Sequence, residues 1–289
     1  MTQILIAGAN GYVGNFLVND LDSLFDLTAV SRTEPSFRQK NTKVIRQDLS
    51  QRWEFDATPE IVIYLAAQHY YSTTAATIEN FLSSNVQGLI NALTFSEAVN
   101  AKMFIYFSSI SVLGKVNDQV VTEQTPICTP NLYGATKFLG ERIVYDFSTQ
   151  VPSLIIRLPG IVGPNLPEGR PWIKSVIDKL LRGDPVHFYN GEADFNNICD
   201  LQTICHFIQH IAGRGLPNNF DIVNLAATTP IKVKNLILLL HSRLNSTSTI
   251  NEVSTNNLSF TIDVQHISST YAFFPPTTEC IVQRLATYF

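Results

Sequence analysis

The sequence predicts an α/β fold: a doubly wound parallel sheet with helices on both faces, followed by a small C-terminal α/β lobe. Three observations predict it. Short apolar, β-branched runs alternate with stretches of helical periodicity through the first half of the chain. The first run leads directly into a glycine-rich turn and then a helix. Of the 289 residues, 45% are hydrophobic and only 15% are charged, against roughly 25% charged in an average globular protein. A sheet covered on both faces consumes apolar residues in this way.

The elements follow in order. Gln3–Ala7 is a short apolar strand, and a helix runs from about Tyr12 to Leu24. Leu27–Val30, Val44–Arg46 and Ile61–Leu65 read as the second, third and fourth strands. A long helical pattern from about Ala75 to Asn100 carries Ile78, Leu82, Val86, Leu89 and Leu93 on one stripe. Met103–Phe107 is a fifth strand, Leu132 to about Asp146 a helix, and Ser153–Leu158 a sixth strand. Parallel neighbours require right-handed crossovers.

After Gly163-Pro164 the composition changes, with Pro164, Pro167, Gly169 and Pro171 punctuating a loop. Helices are expected at about Ile173–Leu181, Leu201–Ala212 and Val233–Leu244, and strands at Val186–Tyr189 and Asp221–Leu225. Ser246–Thr255 is polar enough for a mobile loop, and the aromatic run from Tyr271 to Phe274 is expected to pack the terminal helix. The division expected is residues 1–164 as one domain, to which a strand and helix from about 191–226 return, and 165–289 as mainly the smaller lobe.

Composition excludes several classes. Twenty basic against 24 acidic residues give a net charge of −4. No basic excess serves a phosphate backbone, so nucleic acid is not an expected partner. High hydrophobicity with low net charge argues against disorder. No apolar run approaches the roughly 18 residues of a membrane span, and the N-terminal MTQILIAGAN lacks the basic region of a secretory signal. A cytoplasmic chain is expected. The four cysteines, Cys128, Cys199, Cys205 and Cys280, form no CxxC pair and read as mostly buried free thiols. His206 and His210 sit four apart but read as helix packing, and no metal is expected.

The chemistry begins at Gly8-Ala9-Asn10-Gly11-Tyr12-Val13-Gly14. Glycines let a backbone turn sharply and approach a pyrophosphate, whose charge suits a helix N-terminus. After the second strand stand Ser31-Arg32, where an acidic residue would hold a ribose 2′-hydroxyl. A hydroxyl followed by a guanidinium suits a 2′-phosphate instead, the alternative being a solvated arginine. Asp48-Leu49 reads either as a contact to adenine or as a turn cap. Tyr133 and Lys137 form a Tyr-x-x-x-Lys pair on one helix face. A tyrosine with an ordinary pKa near 10 is a poor base at neutral pH, and a nearby ammonium lowers it. Upstream, Ser108-Ser109-Ile110-Ser111 ends a strand with hydroxyls, at the edge where catalytic side chains gather in parallel sheets.

Together these segments resemble the extended short-chain dehydrogenase/reductase family, in its NAD(P)-dependent sugar-nucleotide epimerase/dehydratase branch, whose fold is Rossmann-type. The resemblance covers nearly the whole chain. Gly8, Gly11 and Gly14 match the fingerprint, and Leu65-Ala66-Ala67 the small-residue turn after the fourth strand. Asn85 matches the asparagine of the long helix, Ser109 the catalytic hydroxyl, and Tyr133 and Lys137 the signature pair. Arg157 to Pro164, including Pro159 and Ile161, resembles the loop over the nicotinamide, and Gly191 to Leu201 the segment that begins the closing helix of the substrate lobe.

The resemblance implies that Tyr133 exchanges a proton with a sugar hydroxyl or carbonyl. It also implies that Lys137 binds the nicotinamide ribose and lowers the tyrosine pKa, and that Ser109 hydrogen-bonds the reacting oxygen. Cofactor contacts are expected from Gly8, Asn10, Gly11, Tyr12, Val13, Gly14, Ser31, Arg32, Asp48, Leu49, Leu65, Ala66, Ala67, Asn85, Tyr133, Lys137, Pro159 and Ile161. Substrate contacts are expected from Ser109 and Ser111, with His69, Tyr70 and Tyr71 as candidates for the sugar pocket and Arg170 or Lys174 in place of the arginine that meets the nucleotide in relatives. The departures narrow the reaction. Ile110-Ser111 replace the Asp-Glu pair of the dehydratases, Leu113 replaces a common tyrosine, and Ala193-Asp194-Phe195 stands where many relatives read Arg-Asp-Phe. The first reading is therefore an NADP(H)-dependent reductase of a nucleotide-linked keto-sugar. The alternative is a 4-epimerase that uses NAD(H), and the third is a non-catalytic dinucleotide sensor. A homodimer that packs the two long helices is implied by the same resemblance.

Overall fold

The computed structural model describes residues 1–34, 41–70, 76–167, 171–253 and 259–289. Arg170 and Tyr71 lie outside these residues. Two compact units divide the chain. The first comprises Met1–Lys115, Pro126–Arg157 and Cys205–Val223, and the second Val116–Thr125, Leu158–Ile204 and Asn224–Phe289.

In chain order the strands are β1 (Gln3–Ala7), β2 (Asp26–Ser31), β3 (Lys43–Arg46), β4 (Ile61–Tyr64), β5 (Met103–Ser109), β6 (Val120–Val121), β7 (Ser153–Leu158), β8 (Gly160–Val162), β9 (Val186–Phe188), β10 (Asp194–Phe195), β11 (Ile198–Asp200), β12 (Phe220–Asn224), β13 (Ile231–Lys232), β14 (Ile250–Glu252) and β15 (Thr261–Ile262). The helices are α1 (Tyr12–Leu21), α2 (Ile78–Leu82), α3 (Gly88–Ala98), α4 (Leu132–Phe147), α5 (Trp172–Arg182), α6 (Leu201–Ala212), α7 (Val233–Arg243), α8 (Gln265–Tyr271) and α9 (Thr278–Ala286).

The first unit is built on a seven-stranded sheet of order β12-β7-β5-β4-β1-β2-β3. Every registered neighbour among β1 to β5 is parallel. All four residues of β4 and six of seven in β5 are buried, as strands covered on both faces must be. The order reverses at β1, which has β2 on one side and β4 on the other. That switch point opens a crevice beyond the strands' carboxyl ends, the place where open α/β sheets take their ligands. In the second unit four two-stranded pairs form: β8 with β11, β9 with β14, β6 with β15, all parallel, and β10 with β13, antiparallel.

The structure departs from the expected elements in four places. The long helix over Ala75–Asn100 is interrupted: α2 is followed by a π-helical turn, Ser83–Gln87, and then α3. A π turn rotates the helix after it relative to the helix before it, so the single apolar stripe divides. Leu89 and Leu93 are buried, whereas Ile78 and Leu82 are exposed. Helix α1 stops at Leu21, three residues early, because Asp26 already pairs with Gln3. The polar stretch after Ser246 contains β14, whose register against β9 supplies the hydrogen bonds that its sequence does not advertise. In the aromatic run, Tyr271 is buried but Phe274 is 75% exposed. The cysteines are free; Cys199 and Cys205 are buried, Cys128 and Cys280 exposed. No helix among the described residues is long and apolar enough to cross a membrane.

Candidate active site

The glycine loop sits at the switch point. Gly8 has φ of 91°, in the left-handed region, and a Cβ there would come within 2.7 Å of the Ala66 nitrogen in the turn after β4. Only glycine allows that approach between Gly8 and Leu65-Ala66-Ala67. Gly11 caps α1 with no side-chain hydrogen bond, and the first turn of that helix, which includes Tyr12, Val13 and Gly14, holds no acidic residue. The helix therefore offers unsatisfied N–H groups, with their partial positive charge, at its start. Asn10 donates to Thr33 Oγ1 at 2.8 Å and to the Glu34 carbonyl at 3.0 Å, tying this loop to the tail of β2. Buried Ser31 donates to the Thr33 carbonyl at 2.7 Å, which shapes the same tail. Arg32 is exposed, and its carbonyl accepts from Arg46 Nε. Asp48 accepts from both N and Oγ of Ser50, the geometry of a turn cap, while half-buried Leu49 offers its carbonyl to Trp53 and Asn91.

Asn85 lies in the π turn, 1% exposed. Its carbonyl oxygen accepts from Gln68 N at 2.6 Å, and its amide donates to the Gln68 carbonyl at 3.2 Å and to Thr136 Oγ1 at 2.9 Å. Thr136 Oγ1 in turn donates to the Tyr133 carbonyl. One buried amide thus links the loop after β4 to the start of α4.

Helix α4 begins with Asn131, whose side chain accepts from Gly134 N at 2.9 Å. A Cβ at Gly134 would overlap the Ser111 carbonyl, so the first turn of α4 rests directly on the 3-10 turn Ile110–Leu113 that follows β5. Tyr133 immediately precedes Gly134 in that first turn. Ser109 Oγ accepts from Ser111 N at 3.1 Å and donates to Ser111 Oγ at 3.2 Å. Lys137 is 2% exposed, and its Nζ lies 4.3 Å from the centroid of the Tyr106 ring. Burial lowers its ammonium pKa from the ordinary 10.5 to about 7, against the opposing pull of Glu141. Burial pushes Tyr106 well above the usual tyrosine range, so it remains a neutral phenol.

The His69 ring packs on Tyr133 with centroids 4.4 Å apart, and Tyr70 turns away onto Phe81 at 5.2 Å. The other expected contacts belong to the second unit. Pro159 and Ile161 flank Gly160 at the start of β8, and Lys174 is paired with Asp178 at 2.6 Å.

One functional feature escaped the sequence reading. Glu141, one turn beyond Lys137, is buried and accepts from Ser108 Oγ at 2.6 Å and from Arg157 Nε and Nη2 at 2.9 and 2.7 Å. A carboxylate on the buried face of a helix, eight residues after Tyr133 and four after Lys137, is a signal that spacing alone could have given.

Comparison with known proteins agrees with this geometry. The NAD dependent epimerase/dehydratase family matches residues 4–225. Protein CapI of Staphylococcus aureus is 29% identical, with 84% of this chain and 83% of that protein covered. UDP-glucuronate 4-epimerase 1 of Arabidopsis thaliana is 24% identical over 84% of this chain and 65% of its own length. Among solved structures, UDP-glucuronic acid 4-epimerase from Bacillus cereus in complex with NAD superposes with a TM-score of 0.80 at 17% identity, covering 99% of this chain and 98% of that one. The chain belongs to the NAD-dependent epimerase/dehydratase family, an enzyme family of the extended short-chain dehydrogenase/reductase type.

Proposed function

We propose that the protein is a 4-epimerase of a nucleotide-linked sugar, with NAD⁺ as its resident cofactor. The observation that carries this reading is the acid–base set itself. Tyr133 and Lys137 lie one turn apart on α4, the helix rests on the turn that follows Ser109, and neutral Ile110 and Ser111 begin that turn. The names of the relatives, 4-epimerases among them, favour epimerisation over the keto-sugar reductase that stood first in the sequence reading.

The residues fit a dinucleotide. The Gly8 approach to Ala66 and the uncapped start of α1 leave room and N–H donors for a pyrophosphate. The chemistry that a bound nicotinamide supplies is reversible hydride exchange with one sugar carbon. Tyr133 takes the proton from the sugar hydroxyl as the carbonyl forms and returns it when the hydroxyl is restored. Ser109 Oγ donates a hydrogen bond to that oxygen. Lys137, held off water, stabilises the phenolate and offers its ammonium protons to the ribose. His69 and Ser111 border the sugar. The unit of Met1–Lys115, Pro126–Arg157 and Cys205–Val223 forms the dinucleotide domain.

The test is to incubate the NAD⁺-loaded protein with UDP-glucose, UDP-glucuronate and UDP-N-acetylglucosamine and resolve the products by anion-exchange chromatography. A 4-epimer formed without net change in nicotinamide absorbance is expected. Net consumption of NADPH with a 4-keto-sugar would establish the reductase instead. One observation favours NADP(H): Arg32 and Arg46 adjoin at the ends of β2 and β3, two cations where a 2′-phosphate would sit. Titration with NAD⁺ and NADP⁺ decides, and tighter NADP⁺ binding would establish that second reading. The protein acts in the cytoplasm as a homodimer, packed through exposed Ile78, Leu82 and Ile90 on one helical segment and Leu139 and Tyr145 on α4.

A further inference from the structure

Behind Lys137 lies an ion pair that the proton chemistry above does not use. Glu141 is buried to 2% of its side-chain surface and Arg157 to 5%. The guanidinium meets the carboxylate in a two-point contact, and Ser108 supplies a third hydrogen bond. Three elements converge on this one carboxylate: β5 through Ser108, β7 through Arg157, and α4 itself. Ser108 immediately precedes Ser109, and Glu141 shares its helix face with Lys137. Stability alone does not account for such a pair. Well-packed apolar residues of the same volume hold a core together as well or better, because they avoid the desolvation of two charges.

The groups that face the Lys137 ammonium come from several elements. The Tyr106 ring of β5 lies beneath it, and Tyr64 of β4 stacks on Tyr106 at 6.4 Å. Tyr133 stands one turn before it on α4, and Glu141 one turn after, backed by Arg157. Among these, Glu141 is the anion.

We infer that Glu141 is a positioning residue of the reaction centre: clamped by Arg157 and Ser108, its carboxylate favours the ammonium form of Lys137 and holds the strand end bearing Ser109 against the helix bearing Tyr133. The inference rests on the reading of Ser109, Tyr133 and Lys137 as that centre. Burial works against the ammonium and Glu141 works for it, so removing the carboxylate moves Lys137 toward the neutral amine at physiological pH. Arg157, left behind in a single variant, pushes in the same direction.

The experiment compares the full-length wild type, Glu141→Gln, and the double variant Glu141→Leu with Arg157→Met. NAD⁺ affinity is measured by calorimetry from pH 6 to 10, Tm over the same range, and turnover wherever a nucleotide sugar is accepted. In the wild type, NAD⁺ binding weakens on the alkaline side as Lys137 loses its proton. In both variants that limb moves to lower pH by about one unit or more, and Kd at pH 8 rises about tenfold. The single variant loses Tm because a buried guanidinium is orphaned; the double variant regains it but keeps the displaced limb. A double variant that regains Tm together with the wild-type pH profile overturns the inference and leaves a purely structural pair. A pH-independent wild-type affinity overturns it as well. NAD⁺ profiles that shift as expected uphold it even if no nucleotide sugar turns over, an outcome that would count against the epimerase reading alone.

Discussion

At the scale of single residues, the centre depends on two side chains with opposite relations to stability. Tyr133 is half-buried at the start of α4 and, in the proposed mechanism, carries the proton transfer. Tyr133→Phe should fold normally and lose turnover by about 100-fold or more; full activity in that variant would remove the tyrosine from the mechanism. Lys137 is a burden on the fold. Its folded pKa of about 7 lies below the ordinary 10.5, so between those values the unfolded chain binds the extra proton and stability rises with pH. Below pH 7 both states hold the proton and the full cost of burial is present. Lys137→Met should therefore gain about 1–3 kcal/mol at pH 6.5, visible as a higher Tm. The gain should shrink toward pH 10 while activity is lost throughout. A variant less stable than wild type at pH 6.5 would contradict this account. Both residues were legible in the sequence, because a Tyr-x-x-x-Lys pair needs only helical periodicity. Glu141 was equally close in spacing, but a partner on β7, 16 residues away, is not a local property.

At the scale of elements, the π turn is the decisive departure. The sequence shows a continuous amphipathic pattern from Ala75 to Asn100. The chain instead inserts Ser83–Gln87 and turns Asn85 inward, where its side chain makes three buried hydrogen bonds. Gly88 follows at once, with the Tyr64 hydroxyl against it and donating to the Ser84 carbonyl at 2.7 Å. Asn85→Leu should cost about 2–4 kcal/mol, since Gln68 and Thr136 are left without their partner. The denaturant midpoint measures that loss, and NAD⁺ affinity should fall with it as the loop after β4 loosens. An unchanged midpoint would mean the amide is dispensable.

At the scale of the whole molecule, exposed Ile78, Leu82 and Ile90 recur along one helical segment, and Leu139 stands out on α4. Apolar side chains in such a series are the surface through which the proposed homodimer would pack. Ile78→Glu combined with Leu139→Glu should shift the protein from dimer to monomer in sedimentation velocity while leaving NAD⁺ binding intact; a wild type that sediments as a monomer would dispose of the proposed pairing. The sequence by itself determined the parallel α/β sheet and the glycine loop after β1, because these rest on local periodicity and backbone freedom; it offered the Ser109, Tyr133 and Lys137 set through a family resemblance. Only the tertiary structure decided which part of the long helix is buried, how the polar segment at Ile250–Glu252 becomes a strand, and that Glu141 meets Arg157 and Ser108. Those outcomes depend on partners distant in sequence, and the energy of a buried polar group is set by its neighbours rather than by its own identity.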